Sequence, residues 1–393
     1  DDGLGLNEVW GYGFTLPDTA SSTSQVWLDQ VRLTVPPIVV TNLNDSGAGS
    51  LRSALATVGD GGHVLFEPEL AGGTIDLATG PLVIGKAVTV DGSSAPGIAV
   101  SGGGADRVMI VDPGASVRVK DLAFVNGFGW QLAGGILNNG DLTLERVVVS
   151  ENVMATDAGD FWQGGAGIYN GEGAQLLLMD STVANNTASW SGGGIYSFFG
   201  STTIVLRSTI SNNTSNDVGG GMRLLGNATI VNSTISGNQA TGWFGGAMFV
   251  TDGVVDVVNS TVVDNISPDY APAAVFVGTF GPSSATLNMV NNIVANNTFA
   301  GCFLAPFGAG PVAINSLGNN VFSDSTCFPV TSDQVVTDAG LDGLSDNGGP
   351  TRTHALLPGS PAIDAANVAL CPATDQRGTA RDAVCDAGAY EYQ

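Results

Sequence analysis

Short segments that end in asparagine recur through the middle of this 393-residue chain. Six of them align, and their asparagines are spaced 34, 27, 25, 27 and 32 residues apart. An earlier member, Phe124-Val125-Asn126-Gly127, places Asn126 26 residues before the first of the six. The series is Asn126, Asn152, Asn186, Asn213, Asn238, Asn265 and Asn297. A Ser-Thr pair precedes most members and a glycine cluster follows, so the unit repeats about every 26 residues, which is typical of repeat architectures.

Each period contains short β-branched runs separated by Gly and Asn, which indicates several strands per repeat and no helix. A propeller blade needs a longer repeat, and leucine-rich repeats need a different spacing. We therefore predict an all-β, right-handed parallel β-helix, pectate-lyase-like, of roughly eleven coils, on the order of 50 Å long at a spacing of about 4.8 Å per coil. The repeated asparagines should form a buried ladder of amides that bond one coil to the next, and stacked Ser and Thr can do likewise.

The chain divides into three predicted parts. Residues 37–338 form the β-helix, which begins with a short capping helix whose N-cap is Ser50. Residues 1–36 contain two alternating strands, and they are either the remnant of a preceding β-sandwich or an extension that docks on this chain or on a neighbouring copy. Residues 339–393 form a C-terminal capping segment.

Charge is strongly asymmetric, with 36 acidic and 12 basic residues and a net charge of −24. Nucleic acids and polyanionic sugars need a basic groove, which this chain can hardly supply. We expect no cofactor; Ca²⁺, which prefers oxygen ligands, is a secondary expectation. No apolar stretch reaches transmembrane length and no signal-peptide core is present. The start at Asp1 without Met suggests a mature or trimmed segment.

Four cysteines lie near the C-terminal end, and none forms a zinc-type pair. We predict the disulfides Cys302–Cys327 and Cys371–Cys385, which close short loops, although four cysteines allow three connectivities. Disulfides, few lysines and abundant Asn, Thr and Gly favour a secreted, extracellular or cell-surface protein.

Three stretches and the repeats carry a resemblance to a known family. Thr41-Asn42-Leu43-Asn44-Asp45-Ser46-Gly47-Ala48-Gly49-Ser50-Leu51-Arg52-Ser53-Ala54 resembles the N-terminal motif of bacterial right-handed β-helix surface proteins with a Cys-Ser-Leu-Arg-Glu-Ala signature, with Gly49 in place of Cys and Ser53 in place of Glu. The stretches around Ser345-Asp346-Asn347-Gly348-Gly349-Pro350 and Cys385-Asp386-Ala387-Gly388-Ala389-Tyr390-Glu391 resemble the end of β-helix proteins with a choice-of-anchor C-terminus. The Gly-rich and Asn-Asn-Thr repeats are similar to those of polymorphic outer-membrane proteins. The resemblance implies a large secreted or cell-surface protein and no activity.

Catalytic residues are not indicated. Lyases of this fold use Arg or Lys as the base, and the repeats offer Arg207 and Arg223. We expect Arg207 instead to form a salt bridge with Asp180 of the adjacent coil. The carboxylate groups of pectinase hydrolases are missing, and no Ser-His-Asp arrangement is visible.

An aromatic series offers a binding face. Trp162, Trp190 and Trp243 each lie two residues before a glycine cluster, Trp130 lies four before one, and Phe244 is adjacent. We expect these rings to project from one corner on successive coils, interrupted at Val218. They either cover loop stems or stack inside the rod, or they form a surface for self-association or for neutral sugar rings.

The sequence thus predicts a non-catalytic structural or adhesive protein of the cell surface or extracellular matrix. Such a protein would assemble with copies of itself into a polymer, or bind cell-surface glycans. The alternative is a polysaccharide-binding or polysaccharide-degrading β-helix protein.

Overall fold

A computed structural model describes residues 36–157, 162–269 and 273–393. The predicted N-terminal segment, residues 1–36, therefore lies outside the described residues except for Pro36, and so do both of its predicted strands. The described chain from Pro36 onward is a right-handed parallel β-solenoid, which confirms the predicted fold class. No helix in these three ranges is long and apolar enough to cross a membrane.

The coils pass through three parallel sheets, here named A, B and C, and five of the coils also pass through a fourth sheet, D, which lies between B and C along the chain. The strands of sheet A are Ile38–Val40, Gly62–Phe66, Val88–Asp91, Ser116–Lys120, Asp141–Glu145, Gln175–Met179, Thr202–Leu206, Asn227–Val231, Gly253–Val258, Ala285–Val290 and Val312–Ser316. Sheet B contains Thr74–Asp76, Ala99–Ser101, Ala123–Val125, Val148–Ser150, Thr182–Ala184, Thr209–Ser211, Thr234–Ser236, Thr261–Val263, Ile293–Ala295, Val321–Phe322 and Gln334–Val335.

The other two sheets are shorter. Sheet D contains Phe128–Trp130, Val153–Ala155, Thr187–Ala188, Thr214–Ser215 and Gln239–Ala240. Sheet C contains Leu82–Ile84, Met109–Val111, Ile136–Asn138, Ile168–Asn170, Ile195–Ser197, Met222–Leu224, Met248–Val250, Val275–Thr279 and Cys302–Pro306. In sheet A, alternate side chains point inward and stack on their counterparts one coil away, as Leu178 does on Val205. These inward columns form one apolar core along the solenoid.

The asparagine ladder lies at the corner after sheet B. The Oδ1 atom of Asn213 accepts hydrogen bonds from the backbone N and the Nδ2 of Asn186, at 3.0 and 2.9 Å. Its own Nδ2 donates to Val183 O at 2.9 Å and to Asn238 Oδ1 at 3.0 Å. The structure places the asparagines from Asn152 to Asn297 in this succession, so each internal amide joins three consecutive coils.

Asn126 does not belong to this ladder, which corrects the alignment above. Sheet B pairs Val125 with Ser150, so Gly127 is the counterpart of Asn152, and its backbone N donates to Asn152 Oδ1 at 2.8 Å. Asn126 is exposed and has φ 52°, in the left-handed region. That conformation is one that Asn adopts more readily than most residues, so the backbone favours Asn at this exposed position, whereas the buried amide favours it at the next position, which belongs to the ladder.

A second ladder lies at the corner between sheets A and B. The serines of the Ser-Thr pairs form it first: Ser208 N donates to Ser233 Oγ at 3.2 Å, and Ser233 N donates to Ser260 Oγ at 3.1 Å. Asparagines then continue it, because Ser260 N donates to Asn292 Oδ1 at 2.9 Å. Two polar ladders therefore fix the registry of the coils on either side of sheet B.

The N-terminal end is covered by helix α1, Leu51–Thr57, as predicted. Ser50 is its N-cap and accepts a hydrogen bond from Ser53 N, and Leu51 and Leu55 are buried. Arg52 bonds Asp45 through Nη2 at 2.6 Å and donates to the carbonyl oxygens of Pro81 and Gly80. The arginine of the N-terminal motif thus attaches the cap to the turn at residues 79–81.

Residues 339–393, the C-terminal strap, cover the outer face of sheet B. Gln376 donates to Thr209 Oγ1 at 2.9 Å and accepts from Thr234 Oγ1 at 2.7 Å, and His354 Nε2 lies 2.8 Å from Ser236 Oγ. The threonines of the Ser-Thr pairs therefore hold the strap. Both predicted disulfides, Cys302–Cys327 and Cys371–Cys385, are present.

Candidate aromatic groove

The outer face of sheet C carries a column of large side chains. Most of its strands have three residues, so the first and third point into the core and the middle one points outward. Strand register aligns these middle residues from coil to coil. The column is Leu137, Tyr169, Tyr196, Arg223, Phe249, Phe276 and Phe303.

The rings of the column stack at close to the strand spacing. Tyr169 and Tyr196 lie 5.1 Å apart with planes 13° from parallel, and Phe249 and Phe276 lie 4.5 Å apart at 11°. Arg223 interrupts the stack, with its guanidinium carbon 5.1 Å from the Tyr196 ring centroid and 5.8 Å from that of Phe249. Cation–π attraction on both sides stabilises a cation in this position.

Two sets of turns rise on either side of the column. The turns that lead into sheet C carry Trp162, Trp190 and Trp243, whereas the turns that lead from sheet C to sheet A carry Phe199 and Phe280. The sides approach each other at one point, where the ring centroids of Trp162 and Phe199 are 5.3 Å apart. Trp162, Trp243 and Phe280 remain 48%, 50% and 57% exposed, so their rings are accessible to a ligand.

Between the two sets of turns lie two adjacent cavities, which together we name the aromatic groove. The larger, of about 370 Å³, is lined by residues that include Trp162, Phe199, Arg223, Thr251, Phe280 and Ser283. The smaller, of about 190 Å³, is lined by Trp190, Asp217, Val218, Arg223, Trp243, Phe249 and Phe280. Because Arg223 and Phe280 line both, the two cavities lie side by side above sheet C.

The groove contains polar atoms that have no hydrogen-bond partner in the part of the chain that the structure describes. Arg223 is 3% exposed and donates from Nη1 to Ser191 Oγ at 2.6 Å, while its Nε has no hydrogen-bond partner among the described residues. The same holds for the buried atoms Asp217 Oδ2 and Thr251 Oγ1. Buried polar atoms are normally satisfied, so these three atoms in one groove have hydrogen-bonding capacity that water or a ligand can meet.

Charge in the groove is also unusual. No ion pair within 4.0 Å joins Arg223 to an acidic group in the described parts of the chain. Burial lowers the pKa of Arg223, with opposing contributions from Tyr196 and Asp217. Burial likewise raises the pKa of Asp217, and Arg223 partly opposes this. The groove therefore holds two charged groups of opposite sign that do not touch.

Three of the five predicted aromatic binding residues, Trp162, Trp190 and Trp243, line the groove. Trp130 is 48% exposed on sheet D, and its carbonyl oxygen accepts from Arg107. Phe244 stacks on Phe303 at 5.0 Å and does not line either cavity.

The residue that interrupts the tryptophan series is Asp217 rather than Val218. Asp217 N donates to Trp190 O, and Trp243 N donates to Asp217 O, so these three residues occupy equivalent places on successive coils. The spacing itself shows this, because Asp217, like each of the three tryptophans, lies two residues before its glycine cluster. The same position therefore supplies both the tryptophans and the carboxylate of the groove.

Sequence analysis named Arg223 but did not identify the outward column of sheet C to which it belongs. The outward column is signalled by a large residue two positions after the glycine cluster, as in Gly194-Ile195-Tyr196 and Gly221-Met222-Arg223. Phe280 has no such signal, because it lies in a turn of variable length.

The other catalytic candidate, Arg207, lies outside the groove. Its Nε donates to Asp180 Oδ1 at 2.7 Å and its Nη2 to Asp180 Oδ2 at 2.8 Å, which is the expected salt bridge between adjacent coils. No group of three or more His, Cys, Asp or Glu side chains with metal-binding geometry occurs among the residues that the structure describes.

A comparison with family models agrees with the architecture. A family model described as a right-handed β-helix region matches residues 134–326. Among solved structures, the chain is similar to the crystal structure of pectate lyase Pel9A, with 17% identity, a TM-score of 0.43, and coverage of 92% of this chain and 97% of that one. It is also similar to ORF18 of Geobacillus virus E2, with 14% identity, a TM-score of 0.40, and coverage of 72% and 62%. No curated protein matches the sequence.

Proposed function

We propose that this chain is a non-catalytic, extracellular adhesive protein that binds polysaccharide in the aromatic groove. The observation that carries the proposal is the groove itself: exposed tryptophan and phenylalanine rings surround a buried, incompletely bonded arginine. Sugar rings present apolar C–H faces and polar edges, and such ligands fit sites with aromatic walls and a few placed polar groups. The two disulfides favour an oxidising compartment outside the cytoplasm.

The composition of the groove supports binding without bond cleavage. Glycoside hydrolases use a pair of carboxylic acids on either side of the scissile bond. Asp217 is the one carboxylate among the described residues that line the two cavities. Arg223 is enclosed between two rings and bonded to Ser191, which is a poor position for a group that must exchange protons with a substrate.

Affinity electrophoresis through gels that contain single soluble polysaccharides tests this proposal. We expect retardation of the wild-type chain on at least one of them and loss of retardation in Trp243→Ala. Trp130→Ala is the matched control, because Trp130 is equally exposed but lies outside the two cavities. The proposal fails if both variants behave alike, and its non-catalytic part fails if the wild type releases reducing ends from the retarding polysaccharide.

Self-assembly is a second candidate, favoured by the rings of Phe280 and Phe307. They stack at 5.6 Å and are 57% and 56% exposed, which is unusual for a phenylalanine pair on an isolated surface. Light scattering separates the two candidates. A polymer that dissociates in Phe307→Ala without any change in polysaccharide binding would support assembly through this pair.

A further inference from the structure

We propose that the ligand of the aromatic groove is an uncharged sugar, one hydroxyl of which occupies the place between Asp217 and Arg223. This inference rests on the proposed polysaccharide binding and adds to it the chemical class of the ligand. It follows from what the open atoms of the groove can accept and donate.

Asp217 and Arg223 present complementary open positions to one cavity. Among the described residues, Arg223 Nε is a buried donor without an acceptor and Asp217 Oδ2 is a buried acceptor without a donor, and both side chains line the smaller cavity. The two side chains are too far apart for an ion pair, since none of the ion pairs within 4.0 Å among the described residues joins Arg223 to Asp217. A hydroxyl group matches both atoms chemically, because it donates one hydrogen bond and accepts others.

Charged ligands fit this place less well. A carboxylate would bond Arg223 but would lie beside the Asp217 carboxyl group, and an ammonium group would lie beside the guanidinium. The net charge of −24 further opposes the approach of a polyanionic chain. The hydroxyls of a neutral sugar avoid both penalties.

The neighbouring cavity extends the site to a second sugar unit. It shares Arg223 and Phe280 with the first and adds the rings of Trp162 and Phe199. Thr251 Oγ1, which is buried and has no partner among the described residues, supplies one further hydrogen-bonding group there. We therefore infer that at least two consecutive units of a neutral polysaccharide lie along the groove, with ring faces against the aromatic walls.

Calorimetric titration with two panels tests the inference: neutral polysaccharides (dextran, β-glucan, xyloglucan and galactomannan) and acidic ones (polygalacturonate and alginate). We expect a neutral polysaccharide to bind and the acidic ones not to bind. Arg223→Met retains an unbranched side chain between Tyr196 and Phe249 but removes every N–H, and it should raise Kd by about 10- to 100-fold. Arg207→Met, the same substitution outside the groove, should leave Kd unchanged.

Thr251→Val is a second variant that should not disturb folding, because it keeps the shape and removes a hydroxyl that bonds none of the described residues. We expect a smaller increase in Kd, of about three- to tenfold. Preference for an acidic polysaccharide would overturn the inference and leave the proposed function intact. If Arg223→Met and Thr251→Val bind as tightly as wild type while Trp243→Ala does not, the inference is likewise overturned and the proposed function stands. Absence of binding to every member of both panels would contradict the proposed function itself.

Discussion

Replacing one rung of the asparagine ladder should destabilise the solenoid far more than its size suggests. In the wild-type chain, the backbone N and the Nδ2 of Asn186 donate to Asn213 Oδ1 at 3.0 and 2.9 Å. The substitution Asn213→Ala removes this acceptor, so both donors of Asn186 lose their partner. Both Asn186 and Asn213 are fully buried, so water cannot replace the lost bonds. Each buried donor left without a partner costs about 1–3 kcal/mol, and two such donors give about 2–6 kcal/mol.

Equilibrium urea unfolding followed by circular dichroism measures this loss, and hydrogen exchange at the Asn186 amide locates it. The matched control is Asn212→Gly. Asn212 is exposed with φ 54°, a conformation that glycine adopts freely, so this variant should change the free energy of unfolding by less than about 1 kcal/mol. If Asn213→Ala is as stable as the control, and the Asn186 amide keeps its protection, the buried ladder does not stabilise the coils as argued.

Three further predictions concern the cap and the strap. Cys371→Ser with Cys385→Ser opens a loop with a sequence separation of 14, which should cost about 3 kcal/mol and make residues 365–393 the first site of limited proteolysis; unchanged cleavage kinetics would contradict this. Burial raises the pKa of Asp386 from 3.8 to about 6, against backbone hydrogen bonds from Asp364 and Tyr392, so the folded state binds this proton more tightly than the unfolded state. The free energy of unfolding should therefore rise as pH falls from 7 towards 5, and this pH dependence should be weaker in Asp386→Asn; equal slopes in urea titrations of the two proteins would refute the assignment. Arg52→Ala removes hydrogen bonds to Asp45, Gly80 and Pro81 and should lower the free energy of unfolding by about 2 kcal/mol or more. Arg207→Met breaks a partly exposed ion pair and should lower it by less than about 1 kcal/mol. Equal losses of stability in thermal unfolding would contradict this ranking.

The fold was predictable because its determinants are local and repeated. The asparagine, Ser-Thr and glycine positions recur in successive coils through the middle of the chain, and each has one physical role that the neighbouring coils reinforce. The error at Asn126 arose where two adjacent corner positions both favour Asn, one for its left-handed backbone and one for its buried amide. In Asn212-Asn213 both positions hold Asn, whereas in Asn126-Gly127 the ladder position holds Gly, so sequence alignment alone could not separate them.

The groove and the strap were less predictable because they depend on long-range contacts. Gln376 bonds Thr209, which is 167 residues earlier, and no periodicity relates the two. Arg223 was identified in the sequence as a candidate base, but its enclosure between Tyr196 and Phe249 follows from coil register. Phe280 and Thr251 reach the groove from turns whose lengths differ between coils, so their positions required the structure.

Hydrogen exchange with and without a saturating neutral polysaccharide tests binding in the aromatic groove, because it locates the ligand on the intact chain. Protection should increase in peptides that contain Trp190, Asp217, Arg223, Trp243 and Phe280 and stay constant along the outer face of sheet A. Protection that appears on sheet A or on the strap, with the groove peptides unchanged, would contradict binding in the groove.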